Sequence, residues 1–133
     1  MSANAGGPEA SSEIVGVDPR RVVVVGPCAA GKSTLVQGLR ERGYNARVVG
    51  QEHSVVAHLW QRSEPDILIA LDVDIATVRE RRDAGWPEWL FEIQHERLAA
   101  AVHAADLVID TTTLDIAATL DTVVAFLEGE RAR

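Results

Sequence analysis

Eight consecutive residues, Gly26-Pro27-Cys28-Ala29-Ala30-Gly31-Lys32-Ser33, match the spacing G-x-x-x-x-G-K-S/T without a gap. That spacing has a definite chemistry. Small side chains let the backbone curl, so that amide hydrogens from about Ala29 to Thr34 converge on one point. A helix starting there adds the positive end of its dipole, and together they attract phosphate. The expected backbone contributors are Gly26, Ala29, Ala30, Gly31 and Thr34. Lys32 is expected to reach β- and γ-phosphate oxygens as a compact cation, and the Ser33 hydroxyl to ligate Mg²⁺. The chain holds twelve Arg and one Lys, and that one Lys stands at the motif position. A flat guanidinium does not replace an ammonium there. Cys28, the only Cys, lies in the same loop and reads either as a small loop residue or as a thiol activated by the helix field.

Three further groups carry chemistry-bearing side chains. Gly50-Gln51-Glu52-His53-Ser54 follows a β-branched run. Glu52 there is placed to assist a metal or to take a proton from a hydroxyl, or else to cap a helix starting near Val55 with Ser54. Asp72-Val73-Asp74 precedes Arg79, Arg81 and Arg82. Asp74 reads as a helix N-cap, and Arg81 and Arg82 as candidates for folding over a phosphoryl group. Trp60, Trp86 and Trp89 read first as packing residues. Gln94, His95 and Arg97 read as a solvated helix face, and Asp110 with Thr111, Thr112 and Thr113 as a strand exit and helix cap.

The elements that must position these groups alternate in type. Val22-Val23-Val24-Val25, Ala46-Arg47-Val48-Val49, Ile67-Leu68-Ile69-Ala70-Leu71 and Leu107-Val108-Ile109 read as parallel strands covered on both faces. Between them, spacings of three and four predict helices on Leu35, Val36 and Leu39, and on Val55, Val56, Leu59 and Trp60. They continue on Ile75 and Val78, on Trp89, Leu90, Ile93, Arg97 and Ala101, and on Ile116, Leu120, Val123, Val124 and Leu127. Pro87 suits a first helical turn and Gly129 a C-terminal cap. Alternation of this kind means an α/β fold with a mainly parallel sheet of four or five strands and right-handed crossovers.

The 133 residues carry a net charge of −7, with 20 acidic against 13 basic side chains. That balance argues against nucleic acid as a partner. A lone Cys fits a reducing, cytoplasmic setting. No run reaches the ~18–20 apolar residues of a membrane span, so no membrane partner is expected. Residues 1–18, rich in Ala, Ser and Gly, read as a disordered leader, leaving 19–133 as one domain.

Glu52-His53-Ser54, the Pro65-Asp66-Ile67-Leu68-Ile69-Ala70-Leu71-Asp72-Val73-Asp74 run, Glu80-Arg81-Arg82 and Ala105-Asp106-Leu107-Val108-Ile109-Asp110-Thr111 together resemble thymidylate kinases and deoxynucleoside kinases of the P-loop kinase superfamily. The resemblance spans most of 21–128. It implies the three-layer P-loop NTPase fold and phosphoryl transfer from ATP with Mg²⁺ to a small hydroxylated or nucleoside-like acceptor. Lys32 and Ser33 would lie at the phosphates, Glu52 would be the acidic residue and metal helper, and Arg81 the lid arginine. Two departures stand out: His53 replaces the usual Arg, and only one short helix fits between Ser54 and Asp66. The acceptor pocket is then either small or completed by a second copy of the chain in a homodimer. A nucleotide-binding regulatory module with little catalysis is the alternative.

Overall fold

The computed structural model describes residues 18–131. Strand β1 (Asp18–Val25) leads into α1 (Lys32–Glu41) and β2 (Tyr44–Val48). Two 3₁₀ turns (Gln51–His53 and Leu59–Ser63) precede β3 (Ile67–Asp72). After it come α2 (Ile75–Arg81), α3 (Glu88–Ala104), β4 (Leu107–Asp110) and α4 (Ile116–Arg131). The four strands form one sheet in the order β2-β1-β3-β4, every neighbouring pair parallel. The expected leader falls on residues outside those described, save Asp18, which opens β1 and is buried.

Opposite faces of the sheet feed separate cores. Val22, Val24, Ile67, Ile69 and Leu71 pack with Leu35, Val36 and Leu39 of α1 and with Val123 and Leu127 of α4. Val23, Val25, Leu68 and Ala70 pack instead with Trp60 and with Leu98 and Ala101 of α3. The central strands β1 and β3 are therefore buried on both sides, as their unbroken β-branched runs require. The edge strands differ from expectation: Arg47 and Val48 of β2 and Val108 of β4 are exposed. The helices α1 and α4 approach closely at Gly38, where an added Cβ would lie 2.8 Å from Leu120 Cδ2.

Three helical expectations are corrected. Residues 55–60 form no α-helix; Val55 is 83% exposed, and of the expected apolar set only Trp60 is buried. Gln51 explains why: its amide donates to Val56 O at 2.7 Å and accepts from Trp60 N at 3.1 Å, bonds that stand in for a helical ladder. On α3 the buried residues are Gln94, Leu98 and Ala101, about one residue round from the expected stripe, and Trp89 is exposed. Gly129 lies within α4 rather than capping it. Because a Cβ there meets nothing within 4 Å, Gly129→Ala should raise the unfolding midpoint, by up to ~1 kcal/mol of helix propensity. Thermal melts followed by circular dichroism check this.

Caps fall as the residue types dictate. The Asp74 carboxylate accepts from Thr77 N at 2.8 Å, as expected of an N-cap. Asp115, rather than the threonines, does the same for α4 through Ala118 N at 2.7 Å.

At the sheet end remote from the 26–33 loop, Arg20 binds Asp18 through its backbone N–H, Nε and Nη2 and donates to Leu127 O. The hydrogen bond from the Arg20 side chain, opposed by burial, holds the Asp18 carboxyl below its usual 3.8. Nearby Tyr44 donates its hydroxyl to Glu128 of α4. Burial first, then Glu128, push that phenol up to about 12. A depressed carboxyl stabilises the fold above its unfolded pKa and loses that effect as pH falls through the folded value. Denaturant midpoints should therefore fall below about pH 4, and Asp18→Asn should flatten that limb.

Candidate phosphate-binding site

The site is built where β1 ends and α1 begins. Gly26 passes so near β3 that a Cβ would lie 2.8 Å from Leu71 O, so only glycine lets the chain cross the sheet end here. The backbone then turns through positive φ at Ala29 (67°) and Gly31 (95°). Gly31 is the α1 N-cap and carries no side chain to cap the helix, which leaves first-turn amides free of side-chain partners. Beneath the loop, Gln94 of α3 accepts from Cys28 N at 3.1 Å through Oε1 and turns its Nε2 toward Cys28 Sγ at 3.3 Å. Thr111 sits below Ala30, its hydroxyl 3.0 Å from the carbonyl oxygens of Ala30 and Asp72.

Strand β2 pairs directly with β1, and the 3₁₀ turn after it carries Glu52 to the loop. Lys32 Nζ stands 2.9 Å from Glu52 Oε2 and donates to Pro27 O at 2.9 Å. Side-chain exposure is 10% for Lys32 and 4% for Glu52, so the pair is largely withdrawn from water. The other carboxylate oxygen, Glu52 Oε1, is buried without a hydrogen-bond partner. His53 Nε2 lies 3.4 Å from Oε2. The turn is clamped from α3, where Arg97 reaches Glu52 O, and from within by Gln51.

An open cleft of about 390 Å³ gathers Cys28, Ala29, Gly31, Lys32, Ser33, Thr34, Glu52, His53 and Arg82. Most of the residues expected at the site are thus brought together. Gly26 and Ala30 are not among them: both are buried under the loop, and the Ala30 N–H is directed to Pro27 O. The two arginines separate. Arg82 lines the cleft and lies over the Trp86 ring, 5.8 Å from its centroid. Arg81 instead donates to Ala29 O at 2.9 Å and Thr111 O at 2.8 Å. It borders a second pocket, of about 360 Å³, with Thr34, Leu35, Leu114, Asp115 and Ile116.

Two features were not anticipated from sequence. Gln94 is buried and clasps the loop rather than facing solvent; an amide in step with Leu98 and Ala101 on the buried stripe was its signal, since a buried amide must find partners. Asp72, at the end of β3, binds His95 Nε2 at 2.8 Å, while His95 Nδ1 meets Phe91 O.

Among the described residues, no helix is long and apolar enough to cross a membrane. Comparison of the chain with protein-family models finds no match, and comparison with curated proteins finds no significant match.

Proposed function

We propose that this chain is a small phosphotransferase of the P-loop kinase type, binding ATP with Mg²⁺ and phosphorylating a small hydroxylated or nucleoside-like acceptor. The observation that carries this is the meeting, in one cleft, of the uncapped α1 N-terminus, the single lysine and the buried carboxylate of Glu52. Amides of Gly31 and the first turn of α1 bind the phosphates, with Lys32 turning from Glu52 toward them. Arg82, at the cleft edge, offsets charge on the transferred group. The nucleoside end fits the neighbouring pocket beside Arg81, a role that differs from closure over the phosphates.

A Mg²⁺ ion suits the residues present, because Glu52, whose buried Oε1 has no partner, and Ser33 line the same cleft. When bound, the ion would supply charge neutralisation at the phosphates. Once Lys32 is engaged elsewhere, Glu52 is free to accept the acceptor's hydroxyl proton.

One observation favours the second reading, a nucleotide-binding regulatory module. Residues 54–66 contribute only a short 3₁₀ turn, and the exposed Val55 and Val56 add little wall to an acceptor pocket. A second copy of the chain is the partner that would complete one.

The test supplies labelled ATP, Mg²⁺ and a panel of nucleosides, nucleotides and small hydroxylated metabolites. Labelled acceptor is expected, and Glu52→Gln should lower its formation by about 10²–10⁴-fold, the usual worth of a general base, while leaving nucleotide affinity within a few fold. Nucleotide binding without any labelled product refutes the phosphotransferase and leaves the module.

A further inference from the structure

The same cleft holds a donor set, two of whose three side chains, Cys28 and His53, the phosphate chemistry does not use. Cys28, Glu52 and His53 each place one ligand atom within 4.8 Å of the other two. A thiol sulfur, a carboxylate oxygen and an imidazole nitrogen form a set suited to Zn²⁺, which takes S, N and O donors, and ill suited to Mg²⁺, which prefers oxygen and water. Zinc–ligand bonds of about 2.0–2.3 Å set tetrahedral donors roughly 3.3–3.8 Å apart. His53 Nε2 and Glu52 Oε2 already stand at 3.4 Å.

Three independent features fit the cluster to a cation. Glu52 is buried, with Oε1 lacking any partner. The His53 side chain is 64% exposed and so can swing to close the remaining gap. Gln94 is fixed in orientation, because its Oε1 must face the Cys28 N–H. Its NH₂ then points at Sγ, an outer contact of the kind that holds a metal-bound sulfur in place. Three protein donors at the wall of an open cleft leave a fourth position for water.

We infer that Cys28, Glu52 and His53 form a Zn²⁺ site in the phosphate cleft, occupied in competition with Mg²⁺ and nucleotide. On binding, the Cys28 thiol proton passes to solvent and the sulfur coordinates as thiolate. Glu52 cannot serve both ions at once, so the site makes the protein zinc-inhibited. The competition and the inhibition rest on the function proposed above; the ligand set itself does not.

Lys32 gives the site an unusual signature. Its ammonium, 2.9 Å from Glu52, repels a divalent cation, so Lys32→Met should tighten zinc binding several fold. The same change should weaken nucleotide binding.

The experiment titrates the full chain, reduced and free of nucleotide, with Zn²⁺ against a chromophoric chelator, and separately with Co²⁺ by absorption spectroscopy. One tight zinc per chain is expected, with a thiolate-to-cobalt charge-transfer band. Cys28→Ala and His53→Ala should each weaken zinc by about tenfold or more, and Cys28→Ala should abolish the band. The cobalt band reads the sulfur ligand directly, and matched circular dichroism spectra establish that each variant is folded. Zinc affinity unchanged in folded Cys28→Ala overturns the site, as does a cobalt complex without the band. Loss of binding on changing His58, His95 or His103 instead also overturns it. With nucleotide absent, failure here says nothing against phosphate binding.

Discussion

Lys32→Met should weaken binding of ADP with Mg²⁺ by about 10- to 100-fold, since a hydrogen bond to a charged group is worth ~1.5–3 kcal/mol. The same change should destabilise the protein. Lys32 is the close cationic partner of a carboxylate that is only 4% exposed, and breaking a buried pair from one side costs up to ~3–5 kcal/mol. Water entering the cleft reduces that figure. The double variant Lys32→Met with Glu52→Gln should therefore be more stable than Lys32→Met alone, because no unpaired charge remains. Urea midpoints of the four proteins measure the coupling. A double variant less stable than the single one contradicts the ion pair.

Gln94→Leu is expected to cost about 2–4 kcal/mol. It leaves the buried Cys28 N–H without its acceptor, at ~1–3 kcal/mol, and puts a branched apolar group where an amide bridges two elements. Gln94 is 2% exposed and hydrogen-bonds the loop at Cys28 N and Sγ. The loss should therefore be concentrated at the loop. Hydrogen exchange at residues 27–33 should rise more than at the β3 core, whereas uniform exchange across the chain would show that Gln94 acts only as core filling. Gln94→Glu, which keeps an acceptor toward Cys28 N but loses the donor toward Sγ, should fall between.

All four described strands were legible because β-branched runs in a parallel sheet leave little alternative. Val22-Val23-Val24-Val25 and Ile67-Leu68-Ile69-Ala70-Leu71 are buried throughout, as their composition demands. Edge exposure was not legible, since the apolar run Leu107-Val108-Ile109 does not show that β4 lies at the sheet edge, where Val108 is exposed. The helix expected at 55–60 failed because a side chain outside the window, Gln51, takes over the backbone groups of Val56 and Trp60. Periodicity counts apolar residues and cannot see such a competitor. The same blindness hid Gln94 on the buried stripe of α3.

Lys32, Ser33 and Thr34 line the cleft, and their nearness to one another follows from the contiguous motif and the helix it opens. Glu52 required only that β2 lie beside β1, which the pairing of Val22 with Ala46 shows. Arg81 and Arg82 could not be told apart from sequence. Adjacent helical residues point about 100° from each other, and only the packing of α2 decides which one faces the cleft. Arg82 does, while Arg81 ties Ala29 to Thr111. Gly26 was expected at the phosphates as the motif's first glycine and Ala30 as one of the converging amides; both are buried beneath the loop. Gly26 permits the approach to Leu71, and the Ala30 carbonyl accepts from the Thr111 hydroxyl.

Binding of nucleotide phosphates in this cleft, as proposed, is measured most directly by a calorimetric titration of the full chain with ADP in the presence of Mg²⁺ and a zinc chelator. Binding should saturate at one nucleotide per chain. Absence of saturable binding up to millimolar ADP, with the protein folded, would contradict it.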